Sequence, residues 1–98
     1  MILGSINDES GLIQVKKMLV LFYYNWNGTI EEMYEWEKEV KKNFEKNAPE
    51  GLKIKGMYTP SIPWNRVWIY ETDSVDKLFT MWGERPKNIR NTNLVILT

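Results

Sequence analysis

The stretch Met18-Leu19-Val20-Leu21-Phe22-Tyr23-Tyr24-Asn25-Trp26-Asn27-Gly28-Thr29-Ile30-Glu31-Glu32 contains a strand, a turn and the start of a helix. Met18 to Tyr24 are branched, long-chain or aromatic without polar alternation, the pattern of a strand covered on both faces. Asn25-Trp26-Asn27-Gly28 supplies turn conformations and ends it. Thr29 with Glu32 three residues on is a capping box, and Glu31 and Glu32 stand in the first turn, where the helix dipole favours negative charge. The spacing predicts a helix from about Ile30 to about Lys46. Its buried stripe is Ile30, Met33, Trp36, Val40 and Phe44, with Glu31, Glu35, Lys38, Glu39, Lys42 and Lys46 in solvent. Ala48-Pro49-Glu50-Gly51 stops it, because the residue before a proline is pushed out of helical geometry.

Downstream, Leu52-Lys53-Ile54-Lys55-Gly56-Met57-Tyr58 alternates apolar and polar residues, as a strand nearer a sheet edge does. Pro60 and Pro63 make Thr59 to Asn65 a loop or an irregular hairpin connection, since proline cannot donate to a ladder. A third strand follows at Arg66 to Glu71. Asp73 or Ser74 caps a second helix carrying Val75, Leu78, Phe79 and Trp82 on one face, and Gly83 stands where a left-handed terminator belongs. Thr92 to Leu97 is a last strand. The order from Met18 is strand, helix, strand, strand, helix, strand: an α+β, ferredoxin-like βαββαβ unit, an antiparallel sheet with both helices on one face. Residues 18–98 form this domain. Residues 1–17 are an N-terminal extension, where Ile2 to Ile6 and Leu12 to Val15 flank a turn-rich segment and suggest an extra hairpin.

The whole chain, 98 residues with 13 basic and 13 acidic side chains and 43% apolar residues, is one small domain. Its charge balance leaves no basic face for nucleic acid. No apolar run approaches the length of a membrane span or a secretory signal, so a cytoplasmic protein is expected. Histidine and cysteine are both absent. That excludes thiol nucleophiles, disulfides, Cys/His metal sites and axial-histidine haem ligation. The acidic group Glu31, Glu35 with Glu32 reads as a solvated helix face, and no metal or cofactor is expected.

Two helices cover one face of such a sheet, yet the first, third and last strands are apolar on both. A second copy packed sheet to sheet answers this, and the space between the sheets becomes the default ligand site. Alternation puts Arg66, Trp68 and Tyr70 on one face and Val67, Ile69 and Glu71 on the other. Val67 and Ile69 suit the helices, which assigns Arg66, Trp68 and Tyr70 to the far face, as ligand contacts or as dimer core. Asn25, Trp26, Trp64 and Asn65 lie at strand ends or in loops, where aromatics beside amides clamp a flat molecule or else plug the barrel ends. The candidate ligand-binding set is Tyr24, Asn25, Trp26, Tyr58, Trp64, Arg66, Trp68 and Tyr70; no catalytic constellation is visible.

From Met18 to Leu97 the chain resembles the dimeric α/β-barrel superfamily and, within it, a small bacterial and archaeal family without an assigned activity. The resemblance lies in Met18-Leu19-Val20, Pro49-Glu50-Gly51-Leu52, Tyr58, Asn65-Arg66-Val67-Trp68-Ile69-Tyr70-Glu71-Thr72-Asp73 and Trp82. It implies the fold and dimerisation through the sheets. The superfamily also holds haem enzymes, from which this chain departs by lacking histidine, and cofactor-independent monooxygenases that use Asn, Trp and Arg around an aromatic substrate. Asn25, Trp26, Arg66 and Trp68 are the matching residue types. The leading expectation is a homodimer that binds a small aromatic or apolar ligand or is purely structural. The alternatives are a cofactor-independent monooxygenase or isomerase acting on an aromatic or polycyclic substrate, with Arg66 or a tyrosine facing an anion, and a module that docks another protein on its sheet.

Overall fold

In the computed structural model, which describes residues 17–83 and 85–98, the apolar run folds as strand β1, Met18–Trp26. It is followed by helix α1 (Ile30–Asn47), strands β2 (Leu52–Tyr58) and β3 (Arg66–Thr72), helix α2 (Val75–Met81) and strand β4 (Ile89–Leu97). The expected hairpin in residues 1–17 lies outside the described residues but for Lys17. One four-stranded sheet has the order β2-β3-β1-β4 with every neighbouring pair antiparallel. Each helix thus connects two parallel strands that flank a third. The architecture is α+β and consistent with a ferredoxin-like fold.

Local chemistry sets the element ends. Thr29 Oγ1 accepts the Glu32 N–H at 3.2 Å while Glu32 Oε1 accepts the Thr29 N–H at 3.1 Å, which closes the capping box. At the other end the Ala48 N–H donates to the Phe44 carbonyl, and the chain turns through Gly51 at φ 94°. A side chain at Gly51 would meet both this left-handed conformation and the Asp73 carboxylate.

Register decides which residues meet the helices. Val20, Phe22 and Tyr24 of β1 stand opposite Tyr70, Trp68 and Arg66 of β3. These side chains lie under the helices and join Met33 and Phe44 of α1, Leu78 of α2, Leu52 and Ile89 in one buried cluster. The far-face assignment of Arg66, Trp68 and Tyr70 is therefore corrected: they face the helices, and Val67 and Ile69 face away. Layer thickness and polarity explain the choice. The sheet-to-helix gap takes the bulkier rings, which remove the most apolar area from water, and α1 brings in a carboxylate, Glu37, that needs buried donors. Val67 is still buried, between its cross-strand neighbours Tyr23 and Tyr58 on the far side.

Smaller expectations change as well. β1 continues to Trp26 and β4 starts at Ile89 instead of Thr92, because an irregularity between Tyr24 and Trp26 brings Trp26 opposite Ile89. The Asn27 N–H donates to the Asn88 carbonyl at 2.7 Å and Asn88 Nδ2 to the Asn27 carbonyl at 2.5 Å, locking that extension. Gly83 is not left-handed. α2 ends at Met81, and Trp82 turns into extended backbone so that its ring packs on Phe22, with centroids 5.0 Å apart. Ile30 and Phe79, placed on buried stripes by their spacing, are about half exposed.

Candidate functional site

Glu37 occupies the buried stripe of α1, four residues after Met33 and seven before Phe44, so its carboxylate is carried down onto the sheet. Only 5% of its side chain is exposed. Arg66, rising from β3, meets it with two donors: Nη2 to Oε1 at 2.6 Å and Nε to Oε2 at 2.8 Å. Two more donors converge on Oε2, the Tyr24 hydroxyl at 2.5 Å and the Trp68 indole N–H at 2.8 Å. Arg66 Nη1 donates to Thr59 Oγ1 at 3.1 Å, and the guanidinium carbon lies 5.3 Å from the centre of the Tyr34 ring. A buried carboxylate costs a great deal unless it is paired and hydrogen-bonded; here four donors reach its two oxygens.

The electrostatics follow from this geometry. Burial, with the Glu37 carboxylate holding its proton, pushes the Tyr24 hydroxyl far above its ordinary value of 10.0. The same carboxylate strengthens the protonated form of Arg66. Tyr70, deep in the cluster, is also raised by burial, although the Trp82 indole N–H donates to its hydroxyl at 3.4 Å.

Beside this network lies a cleft of about 340 Å³ between α1 and the segment that joins α2 to β4. Volumes of this order accommodate small organic ligands. Its walls are aromatic: Phe22, Trp36, Phe44, Trp68 and Trp82, with Val40, Met81 and Ile89 filling between them. Trp36 packs on Trp68 with centroids 5.0 Å apart and stacks on Trp26 at 5.4 Å. Glu37 holds one of these walls in place, since the Trp68 indole N–H is anchored on it. At the mouth stand Glu39, Asn43 and Arg85.

The candidate residues thus separate into three places. Tyr24, Arg66 and Trp68 converge on Glu37, and Tyr70 extends that core toward Trp82. Trp26 flanks the network through Trp36, its own indole N–H donating to the Thr29 carbonyl at 3.1 Å. Asn25 and Asn65 join β1 to the loop before β3: Asn65 Oδ1 accepts the Trp26 N–H at 2.8 Å and Asn25 Oδ1 accepts the Asn65 N–H at 2.9 Å. Tyr58 and Trp64 are on the opposite side of the sheet, Trp64 beside Tyr23 with centroids 6.0 Å apart. The residues that the strand-based reading missed are Glu37, Trp36, Phe22, Trp82 and Arg85. Glu37 had a signal: it is an acidic residue on an otherwise apolar helical stripe. Arg85 had none, because its position depends on the path of the chain after Trp82. Among the described residues no three His, Cys, Asp or Glu side chains gather as a metal-binding group, and no helix is long and apolar enough to cross a membrane. No protein-family model matches the chain, and no curated protein matches it.

Proposed function

We propose that the protein is a homodimeric domain of the dimeric α/β-barrel type that binds a small, flat, apolar or aromatic molecule, and that the molecule enters the cleft between α1 and the α2–β4 segment. The observation that carries the reading is the tryptophan-walled cleft of about 340 Å³. Flat rings stack favourably on indole, and such a concavity in so small a domain is of ligand size. Pairing of two copies is supported by the apolar side of the sheet away from the helices, where Leu19, Leu21, Tyr23, Ile69, Val95 and Leu97 share one face.

The geometry favours binding over the oxygenase or isomerase alternative. That chemistry needs a donor free to face a developing anion. Arg66 is committed instead, with Nε and Nη2 on Glu37 and Nη1 on Thr59, and the Tyr24 hydroxyl is bound to the same carboxylate.

Five tryptophans give five indole N–H resonances, and these report the site directly. On titration with 2-naphthalenemethanol, a neutral flat probe, the signals of Trp36, Trp68 and Trp82 should move while that of Trp64 stays. Movement of Trp64 alone would put the ligand on the other side of the sheet and overturn the cleft. Val40→Phe, which fills the cleft from α1, should abolish the shifts without altering the dispersion of the spectrum.

A further inference from the structure

The mouth of the cleft differs in kind from its walls. On the walls the indole N–H of Trp68 is spent on Glu37 and that of Trp82 on the Tyr70 hydroxyl, so those two rings offer a ligand apolar surface only. At the mouth, Asn43 Oδ1 accepts from Asn47 Nδ2 at 2.7 Å, which leaves the Asn43 amide its two N–H donors. Arg85 is exposed, is a donor only, and makes no ion pair among the described residues. The carboxylate there, Glu39, has a cation beside it: Lys42 Nζ lies 3.9 Å away. The mouth thus presents a guanidinium and amide donors, with its carboxylate already beside a lysine, whereas the walls are apolar.

We propose that the ligand is a planar aromatic carboxylate, its ring system against Trp36, Trp68 and Trp82 and its carboxylate at the mouth on Arg85 and Asn43. This rests on the cleft reading above and adds to it the charge and position of the polar group. A guanidinium and an amide N–H lining one cleft suit a carboxylate, whose oxygens take charge-assisted hydrogen bonds.

The test compares probes of one shape and different charge, 2-naphthoate, 2-naphthalenemethanol and 2-naphthylmethylamine, by titration calorimetry on the full chain and on Arg85→Gln. 2-Naphthoate should bind about tenfold more tightly than the alcohol, and Arg85→Gln should bring the two together, as loss of one charge-assisted contact predicts. Because Arg85 is exposed, the variant keeps the fold, which an unchanged thermal unfolding midpoint checks. Equal binding of acid and alcohol, unchanged by Arg85→Gln, would overturn the carboxylate while leaving the cleft as a binding site. Tighter binding of the amine would overturn it in favour of Glu39. If none of the three binds, the cleft reading falls and takes this inference with it.

Discussion

At Glu37 one carboxylate determines what several residues can do. It holds Arg66, Tyr24 and Trp68 together beneath α1, and without it Tyr24 and Trp68 would lose the acceptor they share and Arg66 the acceptor of two of its three donors in use. Glu37→Ala leaves the Arg66 charge stranded, and breaking one half of a buried pair costs about 3–5 kcal/mol. A domain of this size is stable by about 5–15 kcal/mol, so the urea midpoint should fall by a large fraction. Tyr24→Phe removes one hydrogen bond to a charged group and should cost less, about 1.5–3 kcal/mol. The double variant Glu37→Met with Arg66→Met removes both charges together and should be far less damaging than the sum of the single changes. An additive result would mean that the pair is not coupled. The same site sets a pH dependence. Both Tyr24 and Tyr70 have folded-state values raised above the ordinary 10.0. Their contribution to stability is therefore fully present below pH 10 and is lost as pH rises beyond it, because the unfolded chain gives up protons that the fold retains. Unfolding midpoints measured from pH 8 to 11 should fall above pH 10, and less steeply in Tyr24→Phe.

The elements are held by short-range chemistry that differs in strength. Thr29→Ala removes the side-chain half of the capping box and should cost about 1 kcal/mol. Gly51→Ala forces an alanine into a left-handed turn and against the Asp73 carboxylate, and should cost more, about 1–3 kcal/mol for the backbone conformation alone. Thermal unfolding of the two variants tests that order; a larger loss from Thr29→Ala would contradict it. This hierarchy also explains what could be read from the sequence. α1 was legible to within a residue because capping box and proline stop are local signals, and β2 was legible because only one of its faces is apolar. For β3, Arg66-Val67-Trp68-Ile69-Tyr70 offers an apolar set on either face, so alternation locates the strand but gives no sign of which face meets the helices. The sign lay on another element, in Glu37 on the stripe of α1. The start of β4 depends on its pairing with Trp26 across the irregularity in β1, a non-local fact that no propensity at Ile89 announces.

For the molecule as a whole the two sides of the sheet have separate duties in the proposed reading, with a ligand on the helix side and a second copy on the other. The sequence suggested one shared space between two sheets for both, and the burial of Trp68 and Tyr70 beneath the helices is what separates them. A stable interface buries about 800 Å² on each partner, and Leu21 is well placed to test for one, since its cross-strand neighbours Ile69 and Val95 put it in the middle of the open apolar face. Light scattering during size exclusion, over a tenfold dilution, should give twice the chain mass of 11.7 kDa for the wild-type protein and the single mass for Leu21→Lys. A wild-type monomer would overturn the dimer. Binding then discriminates between the two sites: a ligand held between sheets needs the partner copy, whereas one held between α1 and the α2–β4 segment does not. Monomeric Leu21→Lys should therefore still shift the indole signals of Trp36, Trp68 and Trp82 with 2-naphthalenemethanol, within about twofold of the wild-type affinity, because sites on opposite sides of a rigid sheet contribute nearly independently. Loss of binding together with dimerisation would return the site to the space between the sheets.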